Sequence, residues 1–238
     1  MHIEPNEIHI WSTTLVLSND QETLKLAWLS NDERDRANRF HFLIHKRRYI
    51  AARSTLREIM SIYLNVAPQE IIFAYDDNKK PYLHRPNFPR LQFNLSHSNE
   101  IAVYAFTLDH PIGVDIEKVQ DKYDEKVARR FFSHDEKVTL QELPLHDRIT
   151  GFYRIWARKE AIIKAIGKGL AMPLPTFSVS VNNIHEKITL EGNETWSLIP
   201  LSIHGSYQSA VATHQVITKI SYWLFCEQLP TLDKVTRL

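Results

Sequence analysis

Asp115 and Glu117 stand two apart in the run Ile112-Gly113-Val114-Asp115-Ile116-Glu117, whose other members are apolar or small. In an extended strand that spacing sends Gly113 and both carboxylates to one face and Ile112, Val114 and Ile116 to the other. Two like charges held side by side repel, and a divalent cation is one physical reason to keep both ionised. Oxygen-only ligands suit Mg²⁺ or Mn²⁺, whereas zinc calls for histidine or thiolate. Taken alone, the pair reads more simply as the polar outer face of a half-exposed strand. Support comes from Trp156, Glu160 and Lys164, which follow one another at i, i+4 along one helical stripe and run into Gly167-Lys168-Gly169-Leu170. A third carboxylate with Lys159 and Lys164 beside it would complete a metal site and neutralise phosphate oxygens.

Ser96 and His97 close the apolar run before them and form a third polar element. Adjacent residues do not form a nucleophile and base, and no GxSxG turn is present, which argues against a serine hydrolase and for hydrogen bonds to a phosphate. His41 and His45 share i, i+4 spacing but lack a third ligand or an HExxH pattern, so zinc is not expected. Neither GxxxxGK[ST] nor GxGxxG occurs, leaving nucleotide binding by the common glycine-rich routes without support.

The elements that would carry these residues read as mixed α and β. Apolar residues recur at three-to-four spacing over 32–64, predicting one long helix. Residues 78–90, with Pro81, Pro86 and Pro89, read as a loop. Strands over 91–95 and 101–106 form a hairpin around the polar turn 96–100, and a further turn at 109–111 leads into the carboxylate strand 112–117. Two helices are expected over 124–143 and 147–166, the second closed by Gly167. Late strands are expected over 177–181, 196–200, 207–213 and 220–225. The turn at 109–111 is the best seam between two parts, 1–109 and 110–238, because a helix-then-strands order precedes it and partly recurs after it.

The 238 residues carry a net charge of +1, and 43% are hydrophobic, enough for a substantial core. Residues 31–57 hold eight basic against three acidic residues, and residues 154–168 hold five against one. Two basic segments in an otherwise acidic chain point to a local anionic ligand more than to a long nucleic acid track. No apolar run approaches the roughly 20 residues of a membrane helix, no signal peptide is visible, and one cysteine, Cys226, leaves no disulfide framework. A cytoplasmic protein with no membrane or nucleic acid partner is expected.

Three motifs together, Phe93-Asn94-Leu95-Ser96-His97-Ser98, Ile112 to Glu117 and WxxKEAxxK from Trp156 to Lys164, followed by Gly167-Lys168-Gly169-Leu170, resemble the Sfp-type 4′-phosphopantetheinyl transferases. The likeness spans about residues 29–181. It implies an α+β fold of two similar halves related by a pseudo-twofold axis, with coenzyme A between them and a monomer sufficient. It further implies Asp115, Glu117 and Glu160 as magnesium ligands, the metal bridging the pyrophosphate. Arg36, Arg48, Lys80, Ser96, His97, Lys159 and Lys164 correspond to positions that hold the coenzyme. The implied reaction moves the 4′-phosphopantetheine arm to a serine of an apo acyl or peptidyl carrier protein and releases 3′,5′-ADP. Glu160 is favoured as base and Lys164 as charge neutraliser, with Glu136 the other carboxylate for the base role. One departure stands out: Lys79-Lys80-Pro81 replaces the usual Gly-Lys-Pro. A metal-dependent phosphohydrolase and a non-catalytic coenzyme A binding module are the alternatives.

Overall fold

The structure, a computed structural model, describes residues 1–84, 90–169, 172–190 and 192–226 and the backbone of 235–237. Leu170 and residues 85–89 of the expected loop 78–90 lie outside the described residues, and the described part of that loop is not all loop, since residues 81–83 form a short strand. The elements run β1 (Glu7–Thr14), α1 (Asn19–Trp28), α2 (Asn31–Asn38), α3 (Leu43–Leu64), β2 (Phe73–Tyr75), β3 (Pro81–Leu83), β4 (Leu91–Ser98) and β5 (Ile101–Leu108). They continue with β6 (Ile112–Lys118), α4 (Glu125–Phe131), α5 (His134–Glu142), α6 (Leu145–Ile166), β7 (Glu186–Thr189), β8 (Thr195–Leu201), β9 (Tyr207–Thr213), β10 (Lys219–Phe225) and β11 (Val235–Arg237). The fold is α+β, as expected.

The order repeats. A strand is followed by three helices, the third of 22 residues in both cases, and then by antiparallel strands of which the last pairs with the first: β5 with β1, β9 with β6. The sheets are ordered β11-β10-β1-β5-β4 and β6-β9-β8-β7, with β2-β3 a separate hairpin. The last part of the chain departs from the expected division, since β10 returns to the first sheet and pairs in parallel with β1.

Several expected elements are subdivided for identifiable reasons. The helix expected over 32–64 breaks between α2 and α3, because Glu33 of α2 must fold back between Arg53 and Arg57 of α3, at 2.6 and 2.7 Å. The helix expected over 124–143 breaks where Ser133 caps α5 through a reciprocal box with Glu136. Residues 177–181 form no strand, because carboxylates take their amides: Val179 N donates to Glu136 Oε1 at 2.8 Å and Ser180 N to Glu186 Oε1 at 2.9 Å.

The alternation read in residues 112–117 holds, and its meaning becomes clear in three dimensions. Ile112, Val114 and Ile116 face Ile8, Ile10, Val103 and Ala105 in a core between the two sheets. Gly113, Asp115 and Glu117 face α6. The strand is therefore covered on both sides, and Asp115 is 2% exposed, not on a half-exposed surface. β4 runs beside β6 in the same direction at an offset of 20 residues. Side chains stand in for the missing backbone ladder there: Asn94 Oδ1 accepts from Val114 N at 2.9 Å and Ser98 Oγ from Lys118 N at 3.1 Å.

Candidate active site

Helix α6 lies directly on β6, and Gly113 is why. A Cβ there would stand 2.2 Å from both Ala161 O and Ala165 N, so only glycine permits this approach. The closeness brings Lys164 Nζ to 2.5 Å from Asp115 Oδ1 and 2.9 Å from Ser96 Oγ, while Ser96 Oγ donates to the same Oδ1 at 2.8 Å. Asp115 Oδ2 is buried with no hydrogen-bond partner among the described residues. Ser98 Oγ donates to Glu117 Oε2 at 3.1 Å.

Burial pushes the Asp115 carboxyl above the usual carboxylate range, against the pull of Lys164 and Ser96. Glu117 and Glu160 are each pushed up to about 7, first by burial and then by the charge of Asp115. Burial alone would lower the Lys164 ammonium, but Asp115 and then Glu160 hold it above its ordinary value. Three crowded carboxylates share one lysine, so the cluster is short of positive charge.

Around it stand His97 and Arg48. The protein packed around His97, then Lys164, Arg48 and His45, hold its imidazole below the ordinary value. Among the described residues Arg48 has a buried Nε without a partner and only a loose ion pair with Glu100, at 3.8 Å. A cavity of about 270 Å³ opens beside the cluster, walled by Lys79, Lys80, Asn94, Leu95, Glu160 and Lys164. It thus lies between the β2-β3 hairpin and β4 on one side and α6 on the other.

The structure does not bring every expected residue to this cavity. Lys159 is fully buried on the opposite side of α6, where its Nζ meets Glu136 Oε2 at 3.0 Å and the carbonyls of Leu174 and Phe177, both at 2.7 Å. Glu136 accepts in addition from Ser133 N and Val179 N, so that pair belongs to the core of the second half. Lys80 lines the cavity, but its ammonium donates to the carbonyls of Ile112, Lys164 and Ala165, at 3.2, 2.6 and 3.2 Å. Arg36 is exposed on α2, over the Tyr49 ring. The basic segments shrink likewise: Arg53 and Arg57 hold Glu33, Arg47 holds Glu22 and Arg158 holds Glu186.

Asn94 and Ser98, which fix β6 and Glu117, escaped the sequence reading as site residues; their polar side chains within an apolar strand were the available signal. Ser96, read in the sequence as a hydrogen-bond partner for phosphate, touches Asp115 and Lys164. Among the described residues no three His, Cys, Asp or Glu side chains converge closely enough to grip a metal as they stand. The donor chemistry still suits a hard divalent cation, because Asp115 Oδ2 is orphaned and all three carboxylates are held in excess of positive charge.

Residues 111–213 match the family model of the 4′-phosphopantetheinyl transferase superfamily, and residues 17–108 match that of a 4′-phosphopantetheinyl transferase N-terminal region. The chain is 36% identical over 220 residues to 4′-phosphopantetheinyl transferase HetI of Nostoc sp., covering 92% of each chain. It is 33% identical over 190 residues to 4′-phosphopantetheinyl transferase psf-1 of Bacillus pumilus, covering 79% of this chain and 80% of that one. To 4′-phosphopantetheinyl transferase Sfp of Bacillus subtilis it is 31% identical over 166 residues, 70% of this chain and 72% of the other.

Proposed function

Because the chain belongs to the 4′-phosphopantetheinyl transferase superfamily, we propose that it moves the 4′-phosphopantetheine arm of coenzyme A onto a serine of an apo acyl or peptidyl carrier protein, as a cytoplasmic monomer. The observation that carries this reading is the cavity between the halves, with Lys164 and Glu160 in its wall and Asp115 and Glu117 beside it. Asp115, Glu117 and Glu160 are the residues that would hold Mg²⁺, which when bound would supply positive charge to the pyrophosphate oxygens. Lys164 adds a donor to those oxygens, and its position is set by Asp115 and Ser96. Arg48 and His97, whose ring feels the charges of Lys164 and Arg48, would meet the remaining phosphate. Lys80 acts one step back: by bonding the carbonyls of Ile112, Lys164 and Ala165 it fixes the hairpin onto the end of α6.

In the transfer itself the serine Oγ forms a bond to the phosphorus that carries pantetheine. The bond from that phosphorus to the bridging oxygen breaks, and 3′,5′-ADP leaves with the electron pair. Glu160 takes the serine proton; Glu136, buried against Lys159, stands outside the cavity. Such a reaction needs chiefly alignment and charge neutralisation, and that is what these residues offer.

The decisive experiment incubates the protein with coenzyme A, Mg²⁺ and apo carrier domains, and follows the carrier by mass spectrometry. A phosphopantetheine gain on serine is expected, abolished by Asp115→Ala. No gain on fatty acid, polyketide or peptide carriers would sink the reading.

A further inference from the structure

Arg154 stands on α6 ten residues before Lys164. Its Nε donates to Gln208 Oε1 at 3.0 Å and its Nη1 to Val181 O at 2.9 Å. Both acceptors are neutral, and Arg154 makes no ion pair among the described residues, whereas its helix neighbour Arg158 holds Glu186. Burial, and then the repulsion of Arg158, keep the Arg154 guanidinium below the ordinary arginine value. A partly buried cation that feels the charge of Asp147 without an ion pair to it is costly unless a ligand brings a direct partner. Arg154 also lines a cavity of about 350 Å³ together with Asn183, Ser202, His204, Tyr207 and Gln208. The loop of Ser202, His204 and Gly205 is exposed, so this cavity opens to solvent and to anything as large as a protein.

Strand register places the cavity next to the carboxylates. Glu117 and Gln208 are direct partners across β6 and β9, and side chains so paired share a face with Cβ atoms about 5 Å apart. β6 has β4 on one flank and β9 on the other. The coenzyme cavity proposed above is walled by Asn94 and Leu95 of β4, so the Arg154 cavity lies on the opposite flank of Asp115 and Glu117. In phosphoryl transfer the attacking and leaving oxygens are roughly in line. With 3′,5′-ADP leaving toward the β4 flank, the serine must arrive from the β9 flank, past Gln208 and Arg154.

We propose that this cavity receives a carboxylate side chain of the acceptor protein, which pairs with Arg154 and orients the acceptor so that its serine faces Glu117 and Glu160. The inference rests on the transferase reading above. The acceptor surface that fits therefore carries an acidic residue beside the modified serine.

The test is steady-state transfer to an apo carrier domain with the unaltered protein, Arg154→Gln and Arg154→Lys, each also followed by thermal melting. Arg154→Gln is expected to raise KM for the carrier roughly three- to tenfold, with KM for coenzyme A and kcat within about twofold, as for loss of one partly desolvated charge pair. Arg154→Lys is expected to keep most of the carrier affinity. On the acceptor side, neutralising acidic residues near the serine should raise KM with the unaltered protein and no further with Arg154→Gln. Carrier KM indifferent to both sets of changes, or a matching rise in KM for coenzyme A, would overturn this proposal alone. Absence of any transfer by the unaltered protein would overturn the transferase reading and this proposal with it.

Discussion

Lys159 and Lys164 sit five positions apart on α6, about 140° around the helix axis, so one turns into the core of the second half and the other to the cleft. Removing one partner of a buried ion pair leaves the other charge uncompensated. Lys159→Met should accordingly cost about 3–5 kcal/mol in a denaturant melt, because Glu136, 2% exposed, would keep its carboxylate with only two amide donors. Glu136→Gln in the same chain should recover part of that loss. If Lys159→Met melted like the unaltered protein and failed only in transfer, Lys159 would return to the ligand role that resemblance assigned it. Periodicity already held this warning, since Trp156, Glu160 and Lys164 share one stripe and Lys159 falls off it. The shared face of Asp115 and Glu117 was likewise legible from alternation. Their burial was not, because it depends on α6 approaching over Gly113, a contact made 48 residues along the chain.

At the scale of elements, the β2-β3 hairpin passed unread because each strand has only three residues and the second begins at Pro81, a residue that marks strand edges as readily as loops. Its tip explains the departure at Lys79. Lys79 N donates to Asp76 O at 2.9 Å, Asp76 Oδ1 accepts from Asn78 N and Lys80 N, and Lys79 itself has φ of 63°. This is a tight turn closed by a left-handed residue, a position that favours glycine. The tip packs on Gly167, the left-handed cap of α6, where an added Cβ would lie 3.5 Å from Asp76 Oδ2. Lysine therefore keeps the loop shape at an energetic cost. Lys79→Gly should stabilise the protein by about 1 kcal/mol, raising the melting temperature about 2–4 °C for a chain of this size. A lower melting temperature would mean that the lysine side chain contributes more than its backbone costs.

For the whole molecule, the return of β10 ties the end of the described chain to its beginning, at a buried charge. Glu7 of β1 is directly opposite Lys219 of β10; its Oε1 accepts from Ser221 Oγ at 2.6 Å and lies 2.8 Å from Lys219 Nζ. Burial alone would raise the Glu7 carboxyl, but the hydrogen bonds from Lys219 and Ser221, the Glu4 amide and the charge of His9 outweigh it and bring it down to about 2. A carboxyl held below its ordinary value stabilises the fold fully above that ordinary value, near 4.5, and loses the contribution as pH falls toward 2. Glu117 and Glu160 act in the opposite sense, being held above theirs, so the acid response of the unaltered protein mixes both. Glu7→Gln separates them. Its stability deficit against the unaltered protein, read from denaturant melts, should be largest at pH 6–7 and shrink steadily between about pH 4.5 and pH 3. A deficit that stayed constant over that interval would assign Glu7 a packing role and leave the junction of the two chain ends to the β1-β10 backbone ladder alone.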